Sequence, residues 1–226
     1  MRKILRKTSI YVSLAHERMK PEFGIFEPVF QSAHGYLSLL NLHGDDAGQS
    51  VALVEDCCSR TSDPYLDICR LLAETNWRPH LVAAVAVFVL GCHRDAVRLL
   101  WHRIDTGSWV TPQIGATLFE VDPDFSAQAR KRLETGCPLD ASDLIAMSPI
   151  ERHSATGPAD IVHRSAKPAR SLLHLVQMIS PRRVWMDDLR ASTDLQSLLG
   201  EDIDGSDAIT DGWLRRILAI TGRPNK

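Results

Sequence analysis

"RIDTGSW" (residues 103–109) and "RLETGCP" (residues 132–138) open with one five-residue phrase: arginine, a branched aliphatic, an acid, threonine, glycine. In both copies the glycine follows a run of helical spacing, where a left-handed residue commonly ends a helix. The phrase recurs after 29 residues, counted from Gly107 to Gly136. A helix ending written twice at such a distance predicts two copies of one structural unit.

Working outward, glycine and proline divide the middle third of the chain into four consecutive helices. The first starts near Pro79 and ends at Gly91, and the second runs from about Arg94 to Thr106 and stops at Gly107. A third begins at Thr111 and Pro112 and ends around Val121. The fourth takes Asp122 as its N-cap and Pro123 as its first residue, and closes at Gly136.

These helices alternate in character. "LVAAVAVFVL" (residues 81–90) is apolar on every side, and Ala83, Ala84 and Ala86 allow close approach, so it is expected to be covered on two faces. The next is amphipathic: Val97, Leu100, Trp101 and Ile104 follow i, i+3, i+4, i+7, with Arg94, Asp95, Arg98 and His102 opposite. "PQIGATLF" returns to small and apolar residues, and the fourth is amphipathic again through Phe125, Ala129 and Leu133. The unit is a buried helix, a solvent-facing helix and the shared ending. Trp77 and Trp109 recur 32 residues apart, and "RLLAETNW" from Arg70 answers "RLLWHR" from Arg98. Two helices per period of this size describe a stacked array.

On these residues, the region 45–136 resembles HEAT- or armadillo-type α-solenoid repeats. The resemblance implies a curved helical stack whose concave side binds a protein or a nucleic acid. The expected fold is all-α: a short, right-handed α-solenoid of stacked antiparallel helical hairpins with a C-terminal helical cap. Residues 1–27 form an N-terminal segment, 28–136 the array, 137–170 a linker and long loop, and 171–226 the cap. Within the array, one helix is expected from Pro28 to His43 and another to Arg60. Three closing helices follow in "SLLHLVQMI", "VWMDDLRASTDLQSLLG" and "DGWLRRILAITG", the last two ended by Gly200 and Gly222.

Bulk properties narrow the function. Of 226 residues, 44% are apolar and 24% charged, ordinary for a globular chain. A net charge of −2 and a pI near 6.5 point away from nucleic acid, which selects a basic face. The longest apolar run would make about 15 Å of helix, half of a bilayer core, so no membrane span is expected. The basic start, "MRKILRK", leads into apolar sequence interrupted by Ser13 and His16, which is not a secretion signal. Five cysteines (Cys57, Cys58, Cys69, Cys92, Cys137) lack framework spacing and suit a reducing cytoplasm.

Chemistry-bearing motifs are absent. No CxxC or HExxH appears, and "EDIDGSDAITD" puts Trp213 where a calcium loop from Asp202 needs a glutamate, so no metal is expected. There is no GxSxG, no phosphate-cradling loop and no GxGxxG after a strand. Neither a catalytic residue nor a cofactor is therefore assigned.

One stretch remains as a candidate site. "SPIERHSATGPADIVHRSAKPAR" (residues 148–170) holds three prolines and one glycine without sustained periodicity, and reads as a long loop. Structureless loops beyond about 12–15 residues are uncommon unless functional or disordered. Arg152, His153, Thr156, Asp160, Arg164 and Lys167 are its candidate partner-binding residues, joined by Ser154, Gly157 and Arg170 as donors for an anion or an acidic surface. The alternative is a solvated connector. Trp77, Trp101 and Trp109, with Gly107 and Gly136, are read as structural repeat residues, and Trp185 and Trp213 as core.

The resemblance extends to function. Stand-alone bacterial solenoids without catalytic motifs include immunity proteins, which neutralise a cognate toxin. A non-enzymatic protein-binding module is therefore expected, its groove and loop occluding a toxin's active site through charge complementarity. Two alternatives stand beside it. Trp101, Asp105 and Trp109 resemble the aromatic-plus-acid pockets of HEAT-like DNA glycosylases. An enzyme acting on nucleic acid or a phosphorylated small molecule would use the basic loop and show a deep pocket holding His153 or Asp105 with a convergent basic wall. A scaffold or adaptor subunit would show a large exposed apolar patch.

Overall fold

The computed structural model describes residues 23–32, 35–134, 158–179 and 205–224, with the side chains of the third segment from residue 167 onward. Among them there are ten α-helices, one 3-10 turn at Gly24–Phe26 and no strand. The helices are α1 (Glu27–Gln31), α2 (Gly35–Asn41), α3 (Asp45–Ser59), α4 (Tyr65–Ala73) and α5 (Trp77–Leu90). They continue with α6 (Arg94–Thr106), α7 (Thr111–Val121), α8 (Phe125–Glu134), α9 (Pro158–Ile179) and α10 (Ser206–Thr221). None of the helices among the described residues is long and apolar enough to cross a membrane.

Local chemistry sets the boundaries in the middle third. Asn76 is extended and its side chain accepts the Arg78 N–H, capping α5, which ends before Gly91 at positive φ. Gly107 is left-handed, and its N–H turns back to the last carbonyls of α6, as the repeated phrase predicts. The matching Gly136 lies outside the described residues.

Helices α5 and α7 have no polar side to give to solvent. Every residue from 79 to 88 and from 111 to 119 is buried. The two helices pack on each other and are wrapped by the rest. Amphipathic α4 and α6, themselves in contact, cover the pair. Helices α2 and α3 pack on α5, while α9 and α10 pack on each other and on α7. Gly115 lies at the α7–α9 contact, where an added Cβ would meet a Leu175 methyl at 3.4 Å, an ordinary van der Waals distance.

Helix ends inside this assembly leave carbonyls that no later turn of their own helix reaches. Side chains from distant helices supply the donors. At the end of α2, Leu39 O accepts from Trp213 Nε1 (2.9 Å), Leu40 O from Gln113 Nε2 (2.9 Å) and Asn41 O from Arg216 (3.0 Å). At the end of α5, Val89 O accepts from Arg223 (2.8 Å). Polar atoms thereby fix which helix end meets which neighbour.

Three expectations are corrected. The single helix expected from Pro28 to His43 is two, α1 and α2, because Ser32 is extended and the chain folds back. At the crossing, Gly35 lies so close to α1 that a Cβ would sit 2.2 Å from the Val29 carbonyl oxygen. Next, the long loop of 148–170 is helical from Pro158 onward, α9 running through the expected boundary at 170 to Ile179. Proline misled the reading. Pro158 is the first residue of the helix, where a missing N–H costs nothing. Pro168 is interior, at a cost of about 3 kcal/mol, and buried Ala169, Leu172, Leu175 and Val176 oppose that cost by covering α7 and α10. Finally, α8 begins at Phe125 rather than Pro123, and the Asp122 carboxylate accepts from the Asp124 N–H (2.9 Å).

The α1–α2 crossing yields a direct test. Gly35→Ala is expected to lower unfolding free energy by about 1–3 kcal/mol, measured by urea denaturation. A wild-type value would mean that the two helices do not cross at Gly35.

Candidate functional site

The end of α4 and the start of α5 place one tryptophan, and the α6–α7 turn places another. Both positions depend on His80. Its ring is buried one turn into α5, with Nε2–H donating to the Glu74 carbonyl (2.7 Å) and Nδ1 accepting the Ser108 hydroxyl (2.9 Å). One imidazole thus joins the end of α4, the first turn of α5 and the residue before Trp109. Ser108 O in turn accepts from the Thr111 hydroxyl and N–H. The Trp77 and Trp109 rings meet at 5.0 Å, tilted by 47°.

From Trp77 the aromatic contacts continue across α2 and α1. Tyr36 lies edge-on at 6.4 Å, Phe30 follows at 6.0 Å, and Phe23 stacks on Phe30 at 3.9 Å. The Asp67 carboxylate holds the turn beyond Phe23 by accepting the Ile25 N–H (3.1 Å). Two cations sit over the rings: the Arg78 guanidinium is 4.9 Å from the centre of Trp77 and 5.7 Å from Tyr36, and the Lys167 ammonium is 5.2 Å from Trp109. Four of the five rings are half-buried, and Trp109 is 55% exposed. Aromatic rings held by their neighbours present apolar area at small entropic cost, the composition favoured at protein contacts.

A second arrangement lies at α6 and α8, where an open groove of about 880 Å³ is lined by Arg94, Arg98, Trp101, His102, Asp105 and Arg132 among others. Here the repeated phrase acts as a lock between units. Arg132, from its second copy, donates through Nε (2.6 Å) and Nη2 (2.8 Å) to both oxygens of Asp105, from the first copy. Its guanidinium lies 4.2 Å over Trp101, whose Nε1–H donates to Asp122 Oδ2 (2.7 Å). Arg103, the first-copy arginine, reaches back likewise to the Leu72 carbonyl at the end of α4 (2.5 Å).

The sequence-assigned positions fall as follows. Lys167 meets Trp109, uniting a candidate binding residue with a repeat residue. Asp160 and Arg164 occupy positions i and i+4 of α9 to the i+7 of Lys167. Arg152, His153, Thr156, Trp185 and Gly136 lie outside the described residues. Trp101 and Trp213 are buried, while Trp109 is exposed and meets Trp77. Trp101 and Asp105 line the groove while Trp109 contacts Trp77, so the glycosylase-like trio is split between two places. Phe23, Phe30, Tyr36 and Arg78 escaped sequence reasoning. Only Trp77 and Trp109, recurring 32 residues apart, marked the region.

Thiol and metal chemistry find little footing among the described residues. Burial pushes the Cys58 thiol up to about 12 and raises Cys57 and Cys69, which suppresses the nucleophilic thiolate. No group of three or more His, Cys, Asp or Glu side chains there could hold a metal ion.

Desolvation, with the nearby Arg103 cation second, lowers the His80 pKa to about 4. The unfolded chain, with a histidine pKa near 6.5, takes up its proton first as pH falls. Stability present above pH 6.5 is therefore lost between about 6.5 and 4, by roughly 3 kcal/mol. Denaturation curves across that window should show the decline in the wild type and a flatter profile in His80→Gln. Equal slopes would remove His80 as the neutral tie beneath the two tryptophans. No family model, curated protein or solved structure matches this chain.

Proposed function

We propose that this chain is a protein-binding module whose contact surface is the aromatic row ending at Trp109. The carrying observation is Trp109 itself: more than half exposed, yet held against Trp77 and under Lys167. Tryptophan, tyrosine and arginine dominate binding energy at protein interfaces, and a preset ring loses little freedom on contact. Here all three types lie within one set of ring contacts.

The architecture we propose is a short α-solenoid. Supporting this reading, α4 packs on α5 and α6 on α7, as two hairpins, while α5 meets α7 and α4 meets α6. Each arginine of the repeated phrase reaches back to the preceding unit. The closing helices α9 and α10 lie on α7, so the proposed contact surface is the end of the stack carrying Trp77 and Trp109. The narrower form of the proposal is an immunity protein that covers the active site of a toxin domain.

The test uses the product of the neighbouring gene as partner. Titration calorimetry should show one-to-one binding, weakened by Trp109→Ala by about 2 kcal/mol or more, roughly 30-fold, with the melting temperature nearly unchanged. Undiminished binding by Trp109→Ala and Trp77→Ala would sink the aromatic row as the contact surface. Failure of co-expression to relieve toxicity of that product would sink the immunity form alone.

A further inference from the structure

We propose that the partner presents an acidic side chain beside an apolar or aromatic one, the carboxylate docking on Arg78 and the apolar group on Trp109. This deepens the protein-binding reading and rests on it. Arg78 has an unusual situation for a surface arginine. Its guanidinium lies across two ring faces, and its side chain spends one N–H on Asn76 Oδ1 at 3.4 Å. No carboxylate among the described residues pairs with it. Acids occur nearby in the chain, but Asp67 is taken by Ile25 and Arg70.

A guanidinium held near two aromatic rings, with one N–H on Asn76, starts with its side chain already restricted. It therefore loses less rotamer freedom when a carboxylate takes two of its N–H groups. Partial burial among the rings also lowers the local dielectric, which strengthens the pair relative to one in open water. The adjoining apolar requirement comes from Trp109, 55% exposed and in contact with Trp77 at 5.0 Å. A segment that offered only charge would leave this surface wet, and one that offered only rings would leave Arg78 without a counter-ion.

Single-stranded RNA is the other macromolecule that pairs aromatic rings with cations, because bases stack on open π-faces. The exposure of the rings argues against it. Arg78 lies over Trp77 and Tyr36, Phe23 and Phe30 stack on each other, and of the five rings Trp109 alone is exposed, whereas a strand of bases uses several open platforms in succession. A net charge of −2 adds no general attraction for phosphate.

The experiment selects a displayed library of random peptides on the full chain, with an immobilised uridine oligonucleotide in parallel. Enriched peptides should carry Asp or Glu next to an aromatic or aliphatic residue and weaken with added salt. Their affinity should fall at least about tenfold in Arg78→Glu, with Arg78→Lys intermediate. Both variants are checked by circular dichroism, since Arg78 is half-buried. Peptides that depend on Trp109 but not on Arg78 would overturn this inference and leave the protein-binding reading intact. Peptides indifferent to Trp109→Ala, or oligonucleotide binding that competes at Arg78, would overturn both.

Discussion

Two helices without a polar side determine the rest of this molecule. The α5 run from Leu81 to Phe88 offers only aliphatic, alanine and phenylalanine side chains, and α7 is buried from Thr111 to Phe119. Such a helix is stable only when covered on every face. Packed together, α5 and α7 still need three further covers, which α4 with α6, α2 with α3, and α9 with α10 provide. Each cover buries one apolar stripe, and that explains why the surrounding helices are amphipathic while these two are not.

Burial on all sides creates a second requirement at the helix ends. Most of the terminal carbonyls there are buried or partly buried, and an unpaired buried one costs about 1–3 kcal/mol. The donors come from elsewhere in the chain: Trp213 and Arg216 from α10, Gln113 from α7, Arg103 from α6, and Arg223 just beyond α10. Apolar packing alone is tolerant of sliding, whereas these bonds admit one alignment of each helix end. His80 belongs to the same device, and through Ser108 it governs the turn that presents Trp109. The candidate surface is therefore tied through His80 to the end of α4 and the first turn of α5.

The two arginines of the repeated phrase show one residue type used the same way against different acceptors. Arg103 meets a carbonyl and Arg132 meets a carboxylate, each from the unit before. In the groove at α6 and α8, Arg132 is committed to Asp105 and Trp101 to Asp122. At the aromatic row the arginine is different: Arg78 is held by ring faces and keeps its hydrogen-bonding fork available. That contrast supports the proposal that the row is the contact surface.

Much of the helical content was legible in the chain because its causes are local. The ends at Gly91, Gly107 and Gly222 and the alternation of apolar and amphipathic runs depend on neighbours a few positions away. Where local signals conflicted with burial, the reading failed. Pro158 and Pro168 argued for a loop, yet apolar contacts of α9 with α7 and α10 carry the helix through both. Nothing near Gly35 in sequence disclosed that Val29 would press against it, since that contact exists only once α1 and α2 cross. The aromatic row is the furthest case: Phe23, Tyr36 and Trp109 share no period, and long-range packing of α2 on α5, with His80 tying the α6–α7 turn, brings their rings into one series. Helix identity followed from spacing along one segment, while the surface for a partner arose from atoms that meet only after the whole chain has closed.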